Sequence, residues 1–265
     1  MKKIITVLFA IASVLAVRAQ DTEGMAMIAQ DSIQTVPTLA DADSAYIHGD
    51  YLTAISIYES IIETQGVSAT LYMNLGNAWY KTDEIAKAIL NYERAYILDP
   101  SDPDVQFNLE LARTKTVDNV NPMNELFFVV WFKKLLAALD INQWALITVA
   151  VFLLAVVLFA MFLFSKKMAA KKISFSLSVI FFVFSILSFI FATSQLGSIR
   201  NRDTAVIMSP SVTVKSTPSD SGTDLFIIHE GRKVRILDSS MKEWVEIRLE
   251  DGNTGWVPVK VMEII

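Results

Sequence analysis

The sequence predicts a multidomain membrane protein in three parts: a run of α-helical hairpins, a two-helix transmembrane hairpin and a C-terminal all-β barrel. Three observations predict it. Two stretches in the second half of the 265-residue chain run uncharged for 20 residues or more, the residues before them repeat with a period of 34, and the residues after them fall into short β-rich runs bounded by Pro, Gly, Asp and Ser. Composition agrees, with 53% hydrophobic and only 19% charged positions, where a soluble domain has about a quarter charged.

Composition also narrows the chemistry. The chain has no cysteine and two histidines, so it has no disulfide framework, thiolate metal site or cysteine nucleophile, and a multi-histidine centre is not expected. No phosphate-cradling glycine loop or Gly-x-Ser-x-Gly elbow is present. We therefore expect no catalytic residue, no metal and no cofactor. The net charge of −5 is unevenly spread: residues 20–120 carry 16 acids against 5 bases, residues 200–265 carry 10 against 9. That pattern does not suggest a nucleic-acid partner.

Residues 1–19 read as a secretory signal peptide. Lys2-Lys3 precedes an apolar run of 14 residues, Ile4 to Val17, and Val17-Arg18-Ala19 has the small residues of a cleavage site. An uncleaved anchor is the alternative, although 14 residues fall short of the ~20 that span hydrocarbon.

Residues 39–118 carry the repeat. Ala54 and Ala88, Tyr58 and Tyr92, Ile61 and Ala95, and Gly66 and Pro100 are each 34 apart. Gly76 and Ala88 are small where two antiparallel helices touch, Tyr72, Leu75 and Trp79 form an apolar face, and Pro100 stops the second helix. The series Tyr72, Leu75, Gly76, Trp79, Ala88, Tyr92, Ala95, Pro100 resembles the tetratricopeptide repeat (TPR) at all eight of its defining places. Residues 39–66 resemble a degenerate copy, and 104–114 a capping helix. The resemblance implies a groove that holds an extended partner segment, displaying Met73, Asn77, Tyr80 and Asn108. Paired asparagines imply capture of a partner's C-terminal carboxylate, but Met73 stands where that clamp needs lysine, and the acidic field favours a basic or apolar peptide. A plain solvated helix face is the alternative.

Residues 123–139 are apolar around Lys133-Lys134, with Phe128, Trp131, Phe132, Leu135 and Leu139 on one side, and predict a helix lying in the membrane interface; a helix packed on the preceding domain is the other reading. Asp140 with Gln143 predicts the cap of the next helix. Residues 144–164 and 173–194 predict the two transmembrane helices, and 13 of the 16 phenylalanines lie between Phe127 and Phe191. Between them the loop 165–172 carries Lys166, Lys167, Lys171 and Lys172, which predicts that it is cytoplasmic and that both flanking domains are periplasmic.

Residues 204–265 predict a small barrel. Glu230-Gly231 and Asp251-Gly252-Asn253 read as turns, Gly255 as a close backbone approach, and Trp256 as a core anchor. Trp244 reads as a core side chain first, a groove side chain second. The runs Val212–Ser219, Ile228–Leu237 and Trp244–Val257 resemble a bacterial SH3-like domain, which implies binding of proteins or peptidoglycan. His48 and His229 are not expected to share a site, because the domains on either side of the hairpin would have to fold onto each other; His229 reads as solvated.

The order of the parts resembles the BatE-like proteins of aerotolerance (Bat) operons. That resemblance implies an inner-membrane scaffold with protein partners, namely Bat-type membrane proteins with von Willebrand A domains and, indirectly, a MoxR-type ATPase. A peptidoglycan-binding sensor is the alternative function.

Overall fold

A computed structural model of the chain describes residues 37–118 and 126–265. The expected signal peptide and residues 123–125 lie outside the described residues.

Five helices come first: α1 (Leu39–Ile47), α2 (Tyr51–Gln65), α3 (Ala69–Lys81), α4 (Ile85–Leu98) and α5 (Pro103–Arg113), each packed on the next. Their ends are set locally. Gly49, with φ +81°, ends the first turn and Asp50 caps α2 by accepting from the Thr53 amide. Ser68 caps α3 and Asp102 caps α5, whose first residue is Pro103. Ala54 and Ala88 are fully buried. A methyl on Gly76 would lie 2.7 Å from the Tyr92 ring and 3.3 Å from the Ala88 carbonyl, so glycine is what lets α3 and α4 approach.

Three further helices follow: α6 (Phe127–Leu136), α7 (Ile141–Phe164) and α8 (Met168–Arg200). Asp140 and Gln143 form the expected capping box on α7. Helix α7 and residues Met168–Gly197 of α8 are long and apolar enough to cross a membrane, with mean hydropathies of 3.1 and 2.5. They pack side by side, joined by Ser178 Oγ donating to the Ala155 carbonyl at 2.9 Å and Ser185 Oγ donating to the Thr148 carbonyl at 3.1 Å. Because α8 begins at Met168, Lys171 and Lys172 are helical and the connection shortens to residues 165–167. The end of α6 rests on this pair: Trp144 Nε1 donates to the Leu136 carbonyl, and Gln195 Nε2 donates to the carbonyls of Leu136 and Leu139.

Asn201–Asp203 lead into seven antiparallel strands: β1 (Thr204–Ile207), β2 (Ser211–Lys215), β3 (Asp224–His229), β4 (Lys233–Asp238), β5 (Trp244–Arg248), β6 (Thr254–Pro258) and β7 (Met262–Ile264), in the order β3-β2-β6-β5-β4-β1-β7. The sheet curls around one core to which β1 to β6 all contribute, including Ile207, Val214, Ile228, Val234, Ile247 and Val257. Gly255 lies where a Cβ would run into Val214 Cγ1 and sit 3.0 Å from the Lys215 carbonyl, as expected. Strand β7 was not expected; a short 3-10 turn, Val259–Val261, returns the chain to pair with β1.

The helical part and the sheet are docked on each other. Val206 joins the buried cluster of Ala88, Ile89, Leu90, Tyr92, Leu109 and Ala112, with Met208 and Ile265 against it. This overturns the expectation that the two do not fold together. Helix α4 carries far more buried surface than a repeat helix needs, burying eight of its 14 residues, because the sheet covers a face that an isolated hairpin leaves to water.

Candidate binding surfaces

The four expected groove residues lie on α3 and α5. Asn77 and Asn108 are brought together, and largely spent on each other: Asn108 Nδ2 donates to Asn77 Oδ1 at 3.0 Å, and the Tyr92 hydroxyl donates to the same oxygen at 2.8 Å. The same triad occurs 34 residues earlier. Asn74 Nδ2 and the Tyr58 hydroxyl donate to Asp43 Oδ1 at 3.3 and 2.5 Å. The repeat in the sequence is thus a repeat in hydrogen bonding, and Asn77 holds neighbouring hairpins together. Burial raises the Tyr58 and Tyr92 hydroxyl pKa values well above the ordinary phenol range, which keeps both as donors; the bond to Asp43 adds to the shift at Tyr58. Met73 and Tyr80 are half-buried against the interdomain cluster, and Lys115 Nζ lies 4.4 Å from the Tyr80 ring centre.

The seam between helices and sheet is polar at its edges. Glu93, 1% exposed, accepts from Arg113 at 2.5 Å on one oxygen and from Lys233 at 2.6 Å on the other. Arg94 donates to Glu263 at 2.9 Å and to the Ile264 carbonyl at 2.8 Å. His229 is half-buried rather than solvated: its ring Nδ1 lies 2.7 Å from Asp118 Oδ1, and its amide donates to Asp118 Oδ2 at 2.8 Å. Gly231, with φ +80°, makes the expected turn, and a side chain there would also meet Thr116 and Ile89. Sequence reasoning missed these pairs, since all of them except Glu93 with Arg113 join residues more than 100 apart. The readable signal was α4 itself, apolar around most of its circumference.

On the sheet, Trp244 and Trp256 both turn away from the core. Val245, Ile247, Gly255 and Val257 are buried, while Trp244, Glu246, Trp256 and Pro258 alternate with them on the outer face, half-buried. Trp244 pairs across the strands with Pro258, and Glu246 with Trp256. Trp256 is therefore not the expected core anchor, and Trp244 is not the core side chain of its first reading; both lie on the outer face. The inward positions are filled by aliphatic residues and by a glycine that touches Val214, which leaves no room for an indole. Among the described residues, no group of three or more His, Asp or Glu is placed to hold a metal ion.

No curated protein matches the chain. Residues 210–263, which run from just before β2 into β7, match the family model of the bacterial SH3 domain, and this part of the chain is such a domain.

Proposed function

We propose that this protein is a non-enzymatic membrane scaffold that presents a TPR-like helical array and a bacterial SH3 domain as one binding head on the periplasmic side of an inner membrane. The observation that carries the reading is the SH3 domain at residues 210–263, docked on the helical hairpins and linked to a pair of helices apolar enough to span a bilayer. Its supports are the eight matching repeat positions, the 34-residue recurrence of the Tyr–Asx–Asn triad, and the lysines at the turn between α7 and α8. The resemblance to BatE-like proteins points to partners with von Willebrand A domains and, through them, a MoxR-type ATPase.

The second reading, a peptidoglycan-binding sensor, is favoured by one observation: the outer face of the sheet carries Trp244, Trp256 and Pro258 beside Glu246, and aromatic side chains of this kind stack on sugars or peptides. Two measurements separate them. Crosslinking in native membranes followed by mass spectrometry is expected to recover membrane-protein partners. Sedimentation of the purified full chain with sacculi is expected to show no binding; binding that disappears in Trp244→Ala would replace the scaffold by the sensor.

A further inference from the structure

Between α2, α3 and α4, closed on one side by β7, lies a cavity of about 550 Å³. It is separate from the Met73–Asn77–Tyr80 face: Tyr72, Leu75 and Trp79 project into it from another side of α3. We propose that this cavity is a receptor for a lysine or arginine side chain of an extended partner segment.

Three carboxylates line it, Glu59 and Glu63 on α2 and Glu263 on β7. The two cations there are committed. Arg94 is bonded to Glu263 and to the Ile264 carbonyl, and Lys87 sits 4.1 Å from the Trp79 ring centre and 3.5 Å from Glu84. Among the described residues that leaves Glu59 and Glu63 without an ion pair. The Glu59 carboxyl is pushed above its ordinary range, mostly by burial; Lys87 partly relieves this, and Glu63 and Glu263 add to it.

An independent observation points the same way. Asn91, 4% exposed, forms part of the wall; its Nδ2 donates to the Lys87 carbonyl at 2.9 Å, while its Oδ1 is buried with no partner among the described residues. An unbonded buried acceptor is uncommon in a folded protein and is satisfied by an incoming donor. Tyr72, Leu75, Trp79 and Leu90 supply apolar walls for the methylene stem of such a side chain. A lining that combines carboxylates with apolar side chains selects a long cationic group over an anion or a purely apolar one.

The inference rests on the scaffold reading for the source of the ligand, but its binding test does not. Calorimetric titration of the detergent-solubilised full chain with acetylated tetralysine amide is expected to show binding that weakens about tenfold in Glu59→Gln/Glu63→Gln and about threefold in Asn91→Leu. Asp104→Asn/Glu110→Gln, which removes equal charge from α5, is expected to change it less than twofold. Glu63 is exposed, so Glu63→Gln alone keeps the fold and is expected to lose part of the affinity. No binding to the unsubstituted chain, equal losses in the α2 and α5 variants, or tighter binding of tetraglutamate would overturn the proposal. Crosslinking separates the two readings. Partners recovered undiminished by Glu59→Gln/Glu63→Gln remove the site and leave the scaffold; no partners from the unsubstituted chain remove the scaffold whatever tetralysine does.

Discussion

Glu93 has the most at stake of any single residue. Its carboxylate is out of water, and among the described residues its cost is offset by Arg113 from the same array and Lys233 from the SH3 domain. Glu93→Gln leaves two half-buried cations facing a neutral amide, and is expected to lower stability by about 2–3 kcal/mol, read by thermal unfolding. Glu59 makes a prediction about pH. Its folded carboxyl holds a proton to higher pH than in the unfolded chain, so its contribution to stability falls as pH rises from the ordinary carboxylate range through the raised value. A bound cation pulls that proton off, so tetralysine affinity is expected to rise with pH across the same window, and a flat profile there would count against Glu59 as a contact. Gly76, Gly255 and the Asp140–Gln143 cap were legible in the sequence because each is decided by neighbours a few residues away or by the steric demand of one close approach. Glu93 was not: nothing in Tyr92-Glu93-Arg94 says which partner 140 residues on will meet it.

Among the elements, α3 and α4 depend most on a missing side chain. Gly76→Ala drives a methyl into the Tyr92 ring and is expected to cost about 1–3 kcal/mol, seen as loss of helical circular dichroism at lower temperature. The hairpin of α7 and α8 is joined by aromatic pairs such as Phe162 with Phe175 and by serine hydrogen bonds rather than by charge. Ser178→Ala removes a hydrogen bond worth about 0.6–1.7 kcal/mol between the helices, so pair formation in a steric-trapping assay is expected to weaken by that amount. The recurring triad also explains where the array stops. The acceptor is Asp at 43 and Asn at 77, but Leu111 follows at the next step of 34, so a further hairpin would find no oxygen there. Periodicity made the helices readable in advance. It could not reveal that Asn77 and Asn108 were bonding each other, because a surface asparagine and a structural one look alike in a sequence.

For the whole molecule, docking turns two modules into one body. The apolar cluster around Val206, with Glu93, Arg94 and His229 at its rim, predicts that α4 and β1 share one level of protection in hydrogen exchange. Glu93→Gln is expected to split them into two levels. The strands of the SH3 domain were legible from alternation, except β7, whose three residues are too few to show a period and which exists because β1 offers it an edge.

The short step from α8 to the sheet limits how far this head can search. Its 33 residues make a rod of about 50 Å, of which hydrocarbon ~30 Å thick would take most on the proposed membrane placement. Only Asn201–Asp203 intervene before β1, a leash of about 10 Å even when fully stretched, and the grip of Gln195 on Leu136 and Leu139 stiffens its root. On the proposed membrane placement, anything the head captures would have to come to the bilayer surface, which favours the lodgers of one membrane in the scaffold reading over the distant wall of the sensor reading.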